Sequence, residues 1–202
     1  MRVIRINTYD DNRFSQEALY QHGCYIADGD VPVEIKIISQ TEAIIKGGKA
    51  YFDEVIEEFR FNAEHITNFY DESGKLIKKF KDVEVFKLDI DKIQPIQFFI
   101  DRDKLEAVKS FVNREEDVIV PVAMCEGTYA SIDGHTRLYL AYNLGFKHVY
   151  AYHSEAFDGF DYFLAGAKKR NIHVAKDLTL LTHDEYTVKW NKFCDEYYME
   201  RE

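Results

Sequence analysis

The sequence is poor in residues that punctuate or cross-link a chain. Its 202 residues include 3 prolines, 3 cysteines and 1 tryptophan. So few prolines leave no proline-rich linker. Cys24, Cys125 and Cys194 lie far apart and form no C-x-x-C, which argues against a zinc site or a disulfide framework. They read instead as small buried or half-buried thiols. Long apolar runs are also missing. No stretch is long enough to span a membrane, and Met1 to Asn7 has no apolar signal core, so the expectation is a cytoplasmic protein with no membrane partner. Positive charge is in deficit, with 26 Lys and Arg against 36 Asp and Glu and a net charge of −10. Such a chain repels the phosphate backbone, which argues against sequence-independent nucleic-acid binding.

The residues that are present suit a packed α+β protein. Hydrophobic residues make up 46% and aromatics 15%, enough for a sizeable core. Residues 1–82 read as a small α+β module. Val33 to Ile38 is a β-rich run that Ala43 to Ile45 can pair with. From Tyr51, the positions Phe52, Val55, Ile56, Phe59, Ala63 and Ile66 follow helical spacing. Asp71 to Lys75 is a turn between Phe69-Tyr70 and Leu76-Ile77, which reads as a hairpin.

Residues 83–156 form a second segment. Val83 to Leu88 is a predicted strand, Pro95 to Ile100 an extended connection, and Asp101 or Asp103 a cap for the helix carrying Leu105 and Val108. Val118 to Val122 and Tyr129 to Ile132 are strands around Glu126-Gly127. A helix then runs to Leu144, with Gly145 as its stop, followed by a strand over His148 to Tyr152. Residues 157–202 read as helices packed on this segment. One covers about Phe157 to Arg170, and another opens at Thr182-His-Asp-Glu185, a capping-box pattern.

The densest polar chemistry is the strand-to-helix turn Asp133-Gly134-His135-Thr136-Arg137. Free N–H groups at a helix start attract anions, phosphate above all. Arg137 reads as a planar phosphate fork or as an ion-pair partner of Asp133. Asp133 is either a turn residue and cap, or a group for magnesium binding or proton transfer. Gly134 lets backbone approach closely. His135 is a turn-fixing hydrogen-bonder or a base, and Thr136 a phosphate contact or a helix cap. His148, His153, His173 and His183 are scattered without ligand spacing, which argues against zinc.

Two blocks carry a family resemblance. Val85 to Gln97 holds a strand and an x-x-P-x-x loop, and Ile132-Asp-Gly-His-Thr-Arg-Leu-Tyr-Leu-Ala141 holds the turn opening a helix. In these blocks and their order the chain resembles the ParB/sulfiredoxin superfamily. The resemblance implies a mixed sheet with flanking helices and a nucleotide held at the junction. Sulfiredoxins place a cysteine nucleophile where this chain has His135. Partitioning-type ParB proteins have Gly-Glu-Arg-Arg where this chain has Gly134-His-Thr-Arg137. They also follow the core with a DNA-binding domain, for which the roughly 45 residues remaining are too few.

The free serine kinases of the fold have Asp-Gly-His-His-Arg, matched here except at Thr136. That likeness implies ATP or ADP with magnesium, Asp133 and His135 as catalytic groups, and Gly134, Thr136, Arg137 and Gln97 at the nucleotide. It also gives Asp133 to the metal. Gln97 stands where those kinases have a glutamate. The reading is therefore a nucleotide-dependent phosphotransferase acting on a small molecule. The alternative is a non-catalytic nucleotide-sensing or protein-binding module.

Overall fold

The computed structural model describes residues 2–199. The chain divides into two compact units, Met1–Glu84 and Val85–Glu202. Both are α+β, with sheets flanked by helices. Among the described residues no helix is long and apolar enough to cross a membrane.

The first unit is a six-stranded sheet in sequence order. It runs β1 (Val3–Arg5), β2 (Cys24–Ala27), β3 (Val31–Ile37), β4 (Glu42–Gly47), β5 (Asn68–Tyr70) and β6 (Leu76–Lys79). Neighbours are antiparallel except β4 and β5, which are parallel. Helix α1 (Gln16–Tyr20) lies between β1 and β2, and α2 (Phe52–Arg60) makes the parallel crossover. Phe52, Val55, Ile56 and Phe59 recur at helical spacing and are all buried against Ile35, Ile45 and Phe69. Each such side chain contributes about 1.5–3 kcal/mol by leaving water.

The helical spacing from Tyr51 does not carry a helix through to Ile66; α2 ends at Arg60. There the Arg60 guanidinium donates to the carbonyls of Ile66 (3.0 Å) and Glu64 (3.0 Å) and lies 3.7 Å over the Phe80 ring. These bonds hold a loop from which Ala63 and Ile66 reach the core, so apolar periodicity outlasts the helix.

The second unit carries a five-stranded mixed sheet. Its members are β7 (Phe86–Asp89), β8 (Ile93–Pro95), β10 (Ile119–Cys125), β11 (Thr128–Ser131) and β12 (His148–His153). Their spatial order is β7-β12-β10-β11-β8. Two further strands, β9 (Phe99–Asp101) and β13 (Thr179–Leu181), pair in parallel. The extended connection after Pro95 therefore contains β9, and the strand placed at Val83 begins three residues later. Helices α3 (Arg102–Lys109), α4 (His135–Asn143), α5 (Phe160–Lys169) and α6 (His183–Met199) complete the unit.

Of the two candidate caps for α3, Asp101 is the one used, accepting from the Asp103 N–H at 3.0 Å. After α4, Gly145 stands at φ +77°. The Phe146 N–H there bonds the Ala141 carbonyl, closing the helix with a left-handed residue. Helix α5 starts at Phe160, not Phe157, behind Gly159 at φ +99°.

Helix α6 is fixed by an aromatic stripe. Tyr186, Trp190, Phe193 and Tyr197 follow the i, i+4, i+7, i+11 spacing that keeps one face. Phe98 inserts between Trp190 (5.1 Å) and Phe193 (4.8 Å), and Arg170 lies 4.3 Å over Phe98. Each aromatic pair adds about 0.5–1.5 kcal/mol beyond its buried area. The capping box read at Thr182 is present. The Glu185 carboxylate accepts from the Thr182 N–H and hydroxyl, and the Thr182 hydroxyl accepts from the Glu185 N–H.

Candidate functional site

Strand β11 ends at Ser131, and the chain turns through Ile132 and Asp133 into Gly134 at φ +78°. No side chain caps α4 there. A Cβ at Gly134 would stand 2.7 Å from Val120 Cγ1 and 2.9 Å from Arg137 Nη2. Glycine is needed for two reasons: the left-handed backbone, and the close approach to β10 and to the guanidinium. Among the described residues no acceptor meets the N–H groups of His135, Thr136 and Arg137. Thr136 is the second residue of the helix and half-buried, so the cap position belongs to Gly134 and not to Thr136.

Arg137 reaches back over this opening. Its Nη2 lies 3.6 Å from Asp133 Oδ2, one loose contact instead of a two-point fork. The guanidinium side chain is 20% exposed and that of Asp133 58%. Packing against the turn works to raise the Asp133 pKa. The Arg137 charge, the Gly134 amide and nearby Lys104 outweigh it, and the net shift is downward. A carboxyl held below its ordinary range is ionised at neutral pH and a weak proton acceptor.

His135 is 4% exposed. Its Nε2 accepts from the Ile96 N–H (3.2 Å) and the Gln97 N–H (3.3 Å). Because both partners are donors, Nε2 carries no proton and Nδ1–H is the donor, bonded to the Ser131 backbone. Burial pushes the imidazole pKa down to about 4, against the opposing pull of Asp133. The ring fastens the exit of β8 to the first turn of α4, and both its nitrogens are in use. Of the two readings of His135, a turn-fixing hydrogen-bonder or a base, its bonding matches the first.

This neutral, buried histidine makes stability pH-dependent. Its folded pKa lies below the ordinary 6.5, so the unfolded chain binds the extra proton between about 6.5 and 4. Stability is present above pH 6.5 and drains as pH falls toward 4, by about 2 kcal/mol between pH 7 and 5. Urea unfolding at the two pH values should show that loss in the wild type and a smaller one in His135→Asn. Equal losses would assign the acid sensitivity to other groups.

Gln97 is similarly committed. Its Nε2 donates to the Phe99 carbonyl (2.6 Å) and to the Tyr186 hydroxyl (3.2 Å). Tyr186 is buried on α6, and Lys104 Nζ lies 5.4 Å over its ring. Burial raises the Tyr186 pKa, with further upward contributions from Asp101 and Asp133. Register brings one more group in. Leu181 of β13 pairs with Asp101 of β9, and two residues later His183 Nδ1 lies 2.9 Å from Asp101 Oδ2.

The structure therefore gathers Asp133, Gly134, Thr136 and Arg137 on one turn, with His135 and Gln97 as struts beneath it. Tyr186 bonds Gln97, Lys104 lies over the Tyr186 ring, and His183 stands three residues before Tyr186, bonded to Asp101. Lys104, His183 and Tyr186 carried no functional signal in the sequence, where Thr182 to Glu185 read only as a capping box. Asp101 and His183 stand 82 residues apart, and only the β9–β13 pairing joins them.

No protein-family model matches this sequence, and no curated protein matches it. Among solved structures it is similar to protein Atu1540 from Agrobacterium tumefaciens. The identity is 19%, over 49% of this chain and 63% of that chain, with a TM-score of 0.35. A likeness at that level carries no argument about this chain's fold or activity.

Proposed function

We propose that the Asp133–Arg137 turn holds the phosphates of a nucleotide, ATP or ADP, and that the second unit is a phosphotransferase acting on a small hydroxyl-bearing molecule. One observation carries this reading. Helix α4 opens on a left-handed glycine with no side-chain cap, its first three amides have no protein acceptor among the described residues, and a guanidinium lies over the opening. Amides at a helix start and a neighbouring arginine are what a phosphate group selects. The ParB/sulfiredoxin resemblance of the same residues supports it.

In this reading Gly134, Thr136 and Arg137 contact phosphate, while Gln97 and His135 hold the turn in place without touching the ligand. Asp133 keeps the guanidinium in position until phosphate replaces it. A magnesium ion at Asp133 fits only in part, because Asp133 belongs to no cluster of possible ligands among the described residues. Phosphate oxygens and water would supply the rest of its shell.

The second reading, a non-catalytic nucleotide-sensing or protein-binding module, is favoured by the amide at residue 97, which cannot exchange a proton. A thermal-shift series with ATP, ADP, CTP and inorganic phosphate, with and without magnesium, tests the binding claim. A nucleotide should raise the melting temperature more than phosphate does, with the wild-type shift reduced in Arg137→Ala. If no anion shifts the melting temperature, phosphate binding is refuted. Binding without any turnover would favour the second reading.

A further inference from the structure

We propose that His183, oriented through Nδ1 by the buried carboxylate of Asp101, takes the proton from the acceptor hydroxyl in the phosphoryl transfer. This inference rests on the phosphate-binding reading of the Asp133–Arg137 turn.

The Asp101 side chain is only 2% exposed, and both its oxygens are used. One caps α3 through the Asp103 N–H (3.0 Å), and the other meets His183 Nδ1 (2.9 Å). An ionised carboxylate can only accept, so Nδ1 is the donor. The proton-accepting lone pair of the neutral ring is then on Nε2, and the side chain is 58% exposed. A buried acid that fixes the tautomer and an open second nitrogen are the two requirements of an imidazole base. The closeness of Asp101, Asp103 and His183 is accounted for by this hydrogen bond and the cap.

The frame around the pair is rigid. The β9–β13 ladder sets Asp101 opposite Leu181, and the aromatic stripe of α6 is locked on Phe98. A chain of hydrogen bonds runs from the neighbourhood of the pair to the phosphate turn. Tyr186, one turn beyond His183, bonds Gln97, and the Gln97 N–H bonds His135 of α4. Asp101 and Asp133 both act on the Tyr186 hydroxyl, and Lys104 acts on Asp133 while lying over the Tyr186 ring. The other groups at the turn do not suit the task. Asp133 is a weak base, His135 has both nitrogens engaged, and Gln97 has no proton to exchange.

The step balances as follows. The acceptor oxygen forms a bond to the γ-phosphorus of a nucleoside triphosphate, and its proton passes to His183 Nε2. The bond from phosphorus to the bridging oxygen breaks, its electron pair leaving on the nucleoside diphosphate. The imidazolium then loses its proton to solvent. The charged groups acting on the ring are Asp101 at the end of β9, Asp103 on α3, and Asp184 on α6. The hydrogen bond that Nδ1 donates to Asp101, and then the Asp101 charge, raise the His183 pKa above the ordinary value, with Asp103 and Asp184 adding to it and burial opposing. The rate should therefore rise with pH through that raised value.

The test uses the full chain with MgATP, water serving as the hydroxyl acceptor, and ADP release as the readout. His183→Gln should lower kcat by about 100-fold or more while KM stays within a few-fold. Asp101→Asn keeps the cap acceptor. It should move the pH–rate midpoint downward, together with the His183 titration followed by NMR. A His183→Gln variant turning over at the wild-type rate overturns the inference. So does a wild type that binds MgATP in calorimetry and never turns it over, and the binding reading survives both results. Absence of MgATP binding overturns the reading and the inference with it.

Discussion

Gly134→Ala is expected to cost about 2–5 kcal/mol of unfolding free energy. Gly134 sits at φ +78°, where an alanine costs roughly 1–2 kcal/mol in the left-handed region. Its new Cβ would also stand 2.7 Å from Val120 Cγ1 on the central strand β10 and 2.9 Å from Arg137 Nη2. The guanidinium can swing away, but the valine belongs to a packed strand, and overpacking there adds roughly 1–3 kcal/mol. Gly145→Ala supplies the control. It has nearly the same φ, +77°, and nothing within 4 Å of the added methyl. Chemical denaturation of both variants separates backbone strain from close approach. If the two lose the same stability, the contact with Val120 is relaxed at no cost and the turn is looser than its geometry implies.

The elements that were legible in the sequence are those whose signal is local. The α2 stripe, the 70s hairpin, the helix stop at Gly145 and the turn at Asp133 each declare themselves within ten residues. Elements that depend on distant partners did not. β9 and β13 are three residues each, and their extended form is held by each other and by the core around Phe98. The same holds for Ile66, whose burial comes through the Arg60 clasp and not from a continued helix.

The site divides along the same line. Residues 133 to 137 were visible because a helix start, a glycine and an arginine fall within five positions. The roles inside that motif were not visible. In sequence His135 is open between a turn-fixing hydrogen-bonder and a base, and it is a strut because two backbone amides 38 and 39 residues upstream point at its Nε2. Asp101 was readable as a helix cap, but its second oxygen is committed to a histidine that follows a strand no local pattern marked.

Arg137 and Asp133 should respond to mutation with opposite signs. In the free protein the guanidinium leans on Asp133 at 3.6 Å, and a bound phosphate competes with that carboxylate for it. Arg137→Ala removes a charge-assisted contact and should weaken phosphate or nucleotide binding by about 1.5–3 kcal/mol, roughly 10- to 150-fold. Arg137→Lys should recover only part of this, since an ammonium cannot reproduce the planar fork. Asp133→Asn keeps the turn's hydrogen-bonding shape but removes both the competitor and a negative charge beside the ligand. In the absence of magnesium it should leave affinity for inorganic phosphate unchanged or tighten it a few-fold. With magnesium and ATP the gain should shrink or reverse if Asp133 also touches the metal. Titration calorimetry of the three variants against phosphate and then MgATP reads all of these signs. Wild-type affinity in Arg137→Ala would show that the guanidinium serves only the turn, and the phosphate would then have to be sought elsewhere.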